Sequence, residues 1–109
     1  MKILIKALST NKLFQGRRFR TPDYDVYERE AHLLLRKWKP VLHDKMTLKI
    51  QVGLSSKNAD LDNCLKAFID ILQKKYLFND SHIYRIEAQK EIVKKGSEYI
   101  DFEILPFLG

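Results

Sequence analysis

The sequence predicts an α/β fold, an α+β sandwich in which two helices pack on a mixed four-stranded sheet in the order β-α-β-α-β-β. Three observations carry this. Between Met46 and Leu54 apolar and polar residues alternate, the period of a strand with one buried face. From Leu61 to Tyr76, the residues Leu61, Leu65, Phe68, Ile69, Leu72 and Tyr76 recur along one stripe at about 100° per residue, the period of a helix. Beyond Ile83 the period returns to two.

Lys2 to Leu8 reads as a first strand with Ile3, Ile5 and Ala7 on one face. Ser9 to Arg20 reads as a loop that holds Lys12, Arg17, Arg18 and Arg20, together with Phe14 and Phe19, and contains no acid. Thr21-Pro22 suits an N-cap followed by proline in the first helical turn; Tyr24, Tyr27, Ala31, Leu34, Leu35 and Trp38 then keep helical spacing until Pro40. That helix runs out in a basic stretch, Arg36, Lys37 and Lys39. Ser55-Ser56-Lys57-Asn58 breaks the Met46–Leu54 strand before the second helix begins. In the third strand Tyr84, Ile86 and Ala88 share a face that continues to Lys90. Lys94-Lys95-Gly96-Ser97 reads as a solvated hairpin leading into a last strand with Ile100, Phe102 and Ile104 inward.

A chain of 109 residues without a repeat or a Pro/Gly/Ser linker is expected to be one domain, 1–109. Hydrophobic residues at 45% and charged ones at 31% are globular composition, and no run approaches the roughly 18 apolar residues of a membrane span. Cys64 has no partner for an internal disulfide, so a reducing cytoplasm is expected, and it reads as a small apolar helix residue. The net charge of +6 points to nucleic acid as partner, although anionic membranes or solubility account for the same balance.

Against that basic background stand Asp60-Leu61-Asp62-Asn63, Lys66 and Asp80. Three carboxylates brought together suit a divalent cation: hard oxygen ligands bind Mg²⁺, and the ion neutralises charge on a phosphate and lowers the pKa of a water that can attack phosphorus. Lys66, one helical turn beyond Asp62, would add an ammonium beside the same phosphate. Spacing alone leaves a second reading open. Asp60 or Asp62 would then cap the helix, Asp62, Lys66 and Asp70 would form an exposed charge ladder, and Asn79-Asp80 would be turn residues. Spacing also leaves open whether Asp80, a full helix away, reaches Asp60 and Asp62. A calcium loop of the EF-hand type is excluded, because Leu65 and Ile71 occupy the positions that require glycine and glutamate. Lys90, on the apolar face of its strand, is placed to point toward the candidate metal site, while His32, His43 and His82 show no ligand spacing.

The run Asp60-Leu61-Asp62-Asn63 with Leu65, Lys66, Asp70 and Leu72, then Asn79-Asp80 and a strand ending near Lys90, resembles the core motif of the RusA family of Holliday junction resolvases. The resemblance spans about residues 58–105; the amino-terminal half matches only through its first strand and an Asn11-containing basic loop. It implies a homodimeric, Mg²⁺-dependent (or Mn²⁺-dependent) endonuclease that nicks two opposing strands of a four-way DNA junction, with no organic cofactor and no membrane. By motif position Asp60, Asp62 and Asp80 would be the metal-binding catalytic carboxylates and Lys66 the catalytic lysine. DNA contact is expected from Asn11, Lys12, Arg17, Arg18 and Arg20, with Lys57 adjoining the motif. Ser55-Ser56-Lys57-Asn58-Ala59 replaces the arginines that can precede the paired aspartates, and Asn79 stands where an acid can occur. Two other functions fit the residues: a DNA-binding or phage accessory protein that cuts nothing, and a metal-dependent nuclease of other branched DNA. The helical wheel also suggests a dimer contact, because Cys64 and Ile71 widen the apolar arc of the second helix away from Asp62.

Overall fold

The computed structural model describes residues 1–8, 14–15, 19–20 and 22–108. Among these residues the strands and α-helices are β1 (Lys2–Ile3), β2 (Phe14–Gln15), β3 (Phe19–Arg20), α1 (Pro22–Leu35), β4 (Met46–Leu54), α2 (Leu61–Tyr76), β5 (Ile83–Ile92) and β6 (Tyr99–Pro106), with a short 3₁₀ helix, Asp80–His82, before β5. The main sheet has the order β1-β6-β4-β5. β4 pairs antiparallel with β6 and parallel with β5. A parallel pair needs a crossover, and α2 supplies it.

Alternation does what it predicts in β4. Leu48, Ile50 and Val52 are buried, and their neighbours Ile100 and Phe102 on β6 are buried beside them. The two helices cover that face. α2 inserts Ala67, Phe68, Ile71 and Leu72 at 0% exposure, and α1 inserts Tyr24, Tyr27, Ala31 and Leu35. Each fully buried large side chain contributes about 1.5–3 kcal/mol, so α2 is held mainly by its packed stripe. Ile3 and Ile5 are buried as expected, but only Lys2 and Ile3 join the ladder, against β6. The opposite face of the sheet is open, and Lys49, Gln51, Glu87, Gln89, Asp101 and Glu103 line a broad concavity of about 750 Å³ there.

Several expectations need correction. The segment read as a loop from Ser9 to Arg20 contains a two-stranded ribbon, β2 against β3, with Phe14 opposite Arg20. α1 stops at Leu35, Leu34 is 38% exposed, and Trp38 lies beyond the helix, its amide bonded to the Leu35 carbonyl. Lys94–Ser97 does not close a hairpin. β5 and β6 flank β4, so their connection passes over the end of β4, where the Val93 amide donates to the Leu54 carbonyl at 2.8 Å. Because β5 is an edge strand, Tyr84 and Ile86 are 56% and 46% exposed despite their apolar pattern.

Cys64 and Ile71 do not form a surface. They are 3% and 0% exposed, buried within their own chain, because α1 crosses the side of α2 that the helical wheel left open. The dimer contact inferred from them is withdrawn.

Candidate active site

β4 ends at Leu54 and a tight turn follows: the Ala59 amide donates to the Ser56 carbonyl at 3.4 Å and the Asn58 amide to Ser56 Oγ at 3.3 Å. Lys90 braces this turn. Register places Lys90 opposite Val52, hence on the helix-covered face, and its ammonium donates to the carbonyls of Lys57 and Ala59, each at 3.1 Å. The next residue is Asp60, at the N-cap position of α2 with extended backbone, φ −83° and ψ 121°. An aspartate there normally accepts from the first-turn amides. Asp60 does not; its carboxylate instead accepts from Asn63 Nδ2 at 3.3 Å.

Asp62 follows in the first turn of α2 and is exposed, and Lys66 is exposed one turn on. Among the described residues the two form no ion pair within 4 Å, so the charge ladder that spacing allowed is not made here. The positive end of the helix and the Lys90 ammonium favour two carboxylates in this patch. Their field reaches the buried Cys64, whose thiol is pushed up by burial and further by Asp60 and Asp62, with Lys90 acting the other way. Burial together with a raised pKa makes Cys64 an inert packing residue.

Asp80 lies elsewhere. It opens a short 3₁₀ turn, Asp80–His82, capped by Asn79, whose side chain accepts from the Ser81 amide. The Asp80 amide donates to Gln73 Oε1 at 2.8 Å, near the far end of α2, and about 16 Å of helix separates Gln73 from Asp62. The parallel pairing of β4 and β5 is the physical reason. It sets Ile83 beside Met46 and Ile92 beside Leu54, so the residues before β5 sit at the start of β4 while Asp60 follows its end. The expectation that Asp80 converges on Asp60 and Asp62 within the chain is therefore corrected, and no group of three acids, histidines or cysteines suited to a metal occurs among the described residues.

Lys57 is exposed at the turn next to Asp60. Arg20 ends β3, where only the backbone is described, and Asn11, Lys12, Arg17 and Arg18 lie outside the described residues. Asn63, which orients Asp60, escaped the sequence reading, whereas Lys90 points toward the site as its place on the strand implied, though it holds the turn's carbonyls.

Two exposed carboxylates, an amide and two lysines gathered at one helix head, on a chain of net charge +6, suit a protein that works on phosphodiesters. The model of the family Endodeoxyribonuclease RusA matches residues 7–102. The chain belongs to that family, a family of nucleases that cut DNA internally. No curated protein sequence matches it, and no helix among the described residues is long and apolar enough to cross a membrane.

Proposed function

We propose that this protein is a Mg²⁺-dependent endonuclease of branched DNA, with the four-way junction as its substrate, acting as a homodimer. The observation that carries the metal site is Asp60, an N-cap residue whose carboxylate is not spent on capping. Mg²⁺ commonly takes one or two carboxylates from a protein and fills its remaining positions with water and substrate phosphate, and Asp60 and Asp62 fit that donor set. When bound, the ion supplies charge neutralisation at the phosphate and a water of lowered pKa. Asn63 holds the Asp60 carboxylate in place, Lys90 fixes the turn that carries it, and Lys66 offers an ammonium to the phosphate and its developing charge.

The position of Asp80 supports the dimer. β5 is an edge strand of ten residues with Tyr84, Ile86 and Ile92 exposed along it. An unpaired apolar edge is a template for another strand. If β5 pairs antiparallel with its own copy across a two-fold axis, the start of one β5 meets the end of the other. Asp80 of the partner subunit then approaches Asp60 and Asp62, and each dimer holds two equivalent sites. Two sites on one symmetric particle match two strands of one junction.

The test is incubation of the purified protein with a synthetic four-way junction or a linear duplex, in Mg²⁺ or EDTA, alongside Asp62→Asn. Paired nicking of the junction, abolished by EDTA and by the substitution while binding persists, is the expected result. Binding without nicking by the wild-type protein in Mg²⁺ overturns the catalytic reading.

A further inference from the structure

The C-terminal ends of the two helices meet at a second site. Tyr76, in the last turn of α2, donates its hydroxyl to the carbonyl of Leu35, the last residue of α1. Trp38, just beyond α1, packs edge-to-face on Tyr76 at 5.4 Å and on the core residue Phe102 at 4.8 Å. These contacts seat the indole in a fixed orientation. Around it opens a pocket of about 310 Å³, floored by Trp38, Tyr76 and Leu42 and rimmed by Arg36, Lys39 and Lys75.

The rim charges call for an explanation. Cations at a helix C-terminus complement its dipole, and that accounts for one or two per helix end. Two helix ends therefore account for the number of cations; what the dipoles do not require is that Arg36, Lys39 and Lys75 line one aromatic concavity. Among the described residues neither Arg36, Lys39 and Lys75 nor the adjacent Lys37 has a carboxylate within 4 Å, whereas Lys74 is paired with Glu28 at 2.9 Å. The open face of the sheet, by contrast, is of mixed charge, with Glu87, Glu91, Asp101 and Glu103 set beside Lys49, Arg85 and Lys2. At this groove three cations without a carboxylate partner among the described residues surround an apolar floor.

We propose that this groove is a DNA-backbone clamp. Arg36, Lys39 and Lys75 bind consecutive phosphates of one duplex arm, and the sugar edge lies against Trp38. The inference rests on the nuclease reading, because it supplies that enzyme with a hold on its substrate away from Asp60 and Asp62. It adds affinity without sequence preference.

Trp38 is the only tryptophan of the chain, so its fluorescence reports directly on the groove. Titration of the wild-type protein with a synthetic four-way junction is expected to change Trp38 emission. In the Arg36→Ala, Lys39→Ala, Lys75→Ala triple variant, the slope of log affinity against log salt is expected to fall by about 2.7, which is three phosphate contacts. Circular dichroism confirms that the variant is folded, and Trp38→Phe gives the affinity without the reporter. Asp62→Asn is expected to keep both the emission change and the wild-type slope. If the wild-type protein nicks the junction but Trp38 emission does not move and the triple variant keeps its salt slope, the clamp is wrong and the nuclease reading stands. A wild-type protein that binds no DNA overturns both.

Discussion

Tyr99 lays its ring directly across Gly53, its partner on β4, so closely that a Cβ built on Gly53 would lie 2.4 Å from two ring carbons. The ring is fixed from both sides: Lys2 stands 4.3 Å over it and its hydroxyl donates to Glu91 at 3.2 Å. Gly53 is therefore a packing requirement, where alternation alone presented it as one more outward position. Gly53→Ala is expected to lower stability by about 1–3 kcal/mol through overpacking, measured by urea denaturation. Adding Tyr99→Ala should remove most of that increment, and equal losses in both backgrounds would show that the ring is not the cause. Single residues of the site were legible in the same partial way. Asp60 and Asp62 stand out in the sequence by type and spacing. Whether a helix-head aspartate caps or stays available is decided by side-chain torsions and by Asn63, which spacing does not report.

At the scale of elements, β4 and α2 were the most legible parts in type and bounds, but the buried stripe of α2 is turned from the expected one. Phe68 and Leu72 are buried with Cys64, Ala67 and Ile71, whereas Leu61, Leu65, Ile69 and Tyr76 are half-buried, because α1 packs on that side. The relation between elements was less legible. Nothing in the local pattern of β5 states that it runs parallel to β4, and that choice alone decides at which end of the sheet Asp80 falls. The short pairs β1 and β2–β3 carry too few residues for a period to show. Lys90 links two elements, because a side chain of β5 holds the turn ahead of α2 by two carbonyls. Lys90→Met should leave the fold and junction binding in place while loosening that turn. The Mg²⁺ concentration for half-maximal nicking is expected to rise about ten-fold, as for other residues that support metal ligands from behind, with partial recovery in Lys90→Arg. An unchanged Mg²⁺ requirement would show that the turn is fixed by other means.

At the scale of the whole molecule, Asp80 and the Asp60–Asp62 pair lie at opposite ends of the sheet, and the proposed dimer joins them between subunits. A mixing experiment separates assembly in trans from an incomplete enzyme. Asp62→Asn and Asp80→Asn are each expected to be inactive alone. Subunits exchanged between them form mixed dimers in which one site has every carboxylate and the other lacks two, so roughly a quarter of the wild-type sites return. Those dimers nick one strand without its opposite, visible as nicked but unresolved junctions. No recovery on mixing, with exchange verified by mass, would place Asp80 outside the catalytic group.

The strand order also sets a schedule. β4 occupies the interior of the sheet, yet both of its neighbours, β5 and β6, come after it in the chain, and among the described residues β1 at the other end pairs with β6 alone. During synthesis, Leu48, Ile50 and Val52 leave the ribosome before either strand that flanks them exists. Closing contacts of such long sequence separation is slow, and the waiting apolar strand is the part of the nascent chain most exposed to aggregation. The carboxyl-terminal strand is the piece whose arrival turns a collection of segments into a sheet, so a ribosome that stalls before β6 leaves a chain with an unfinished core.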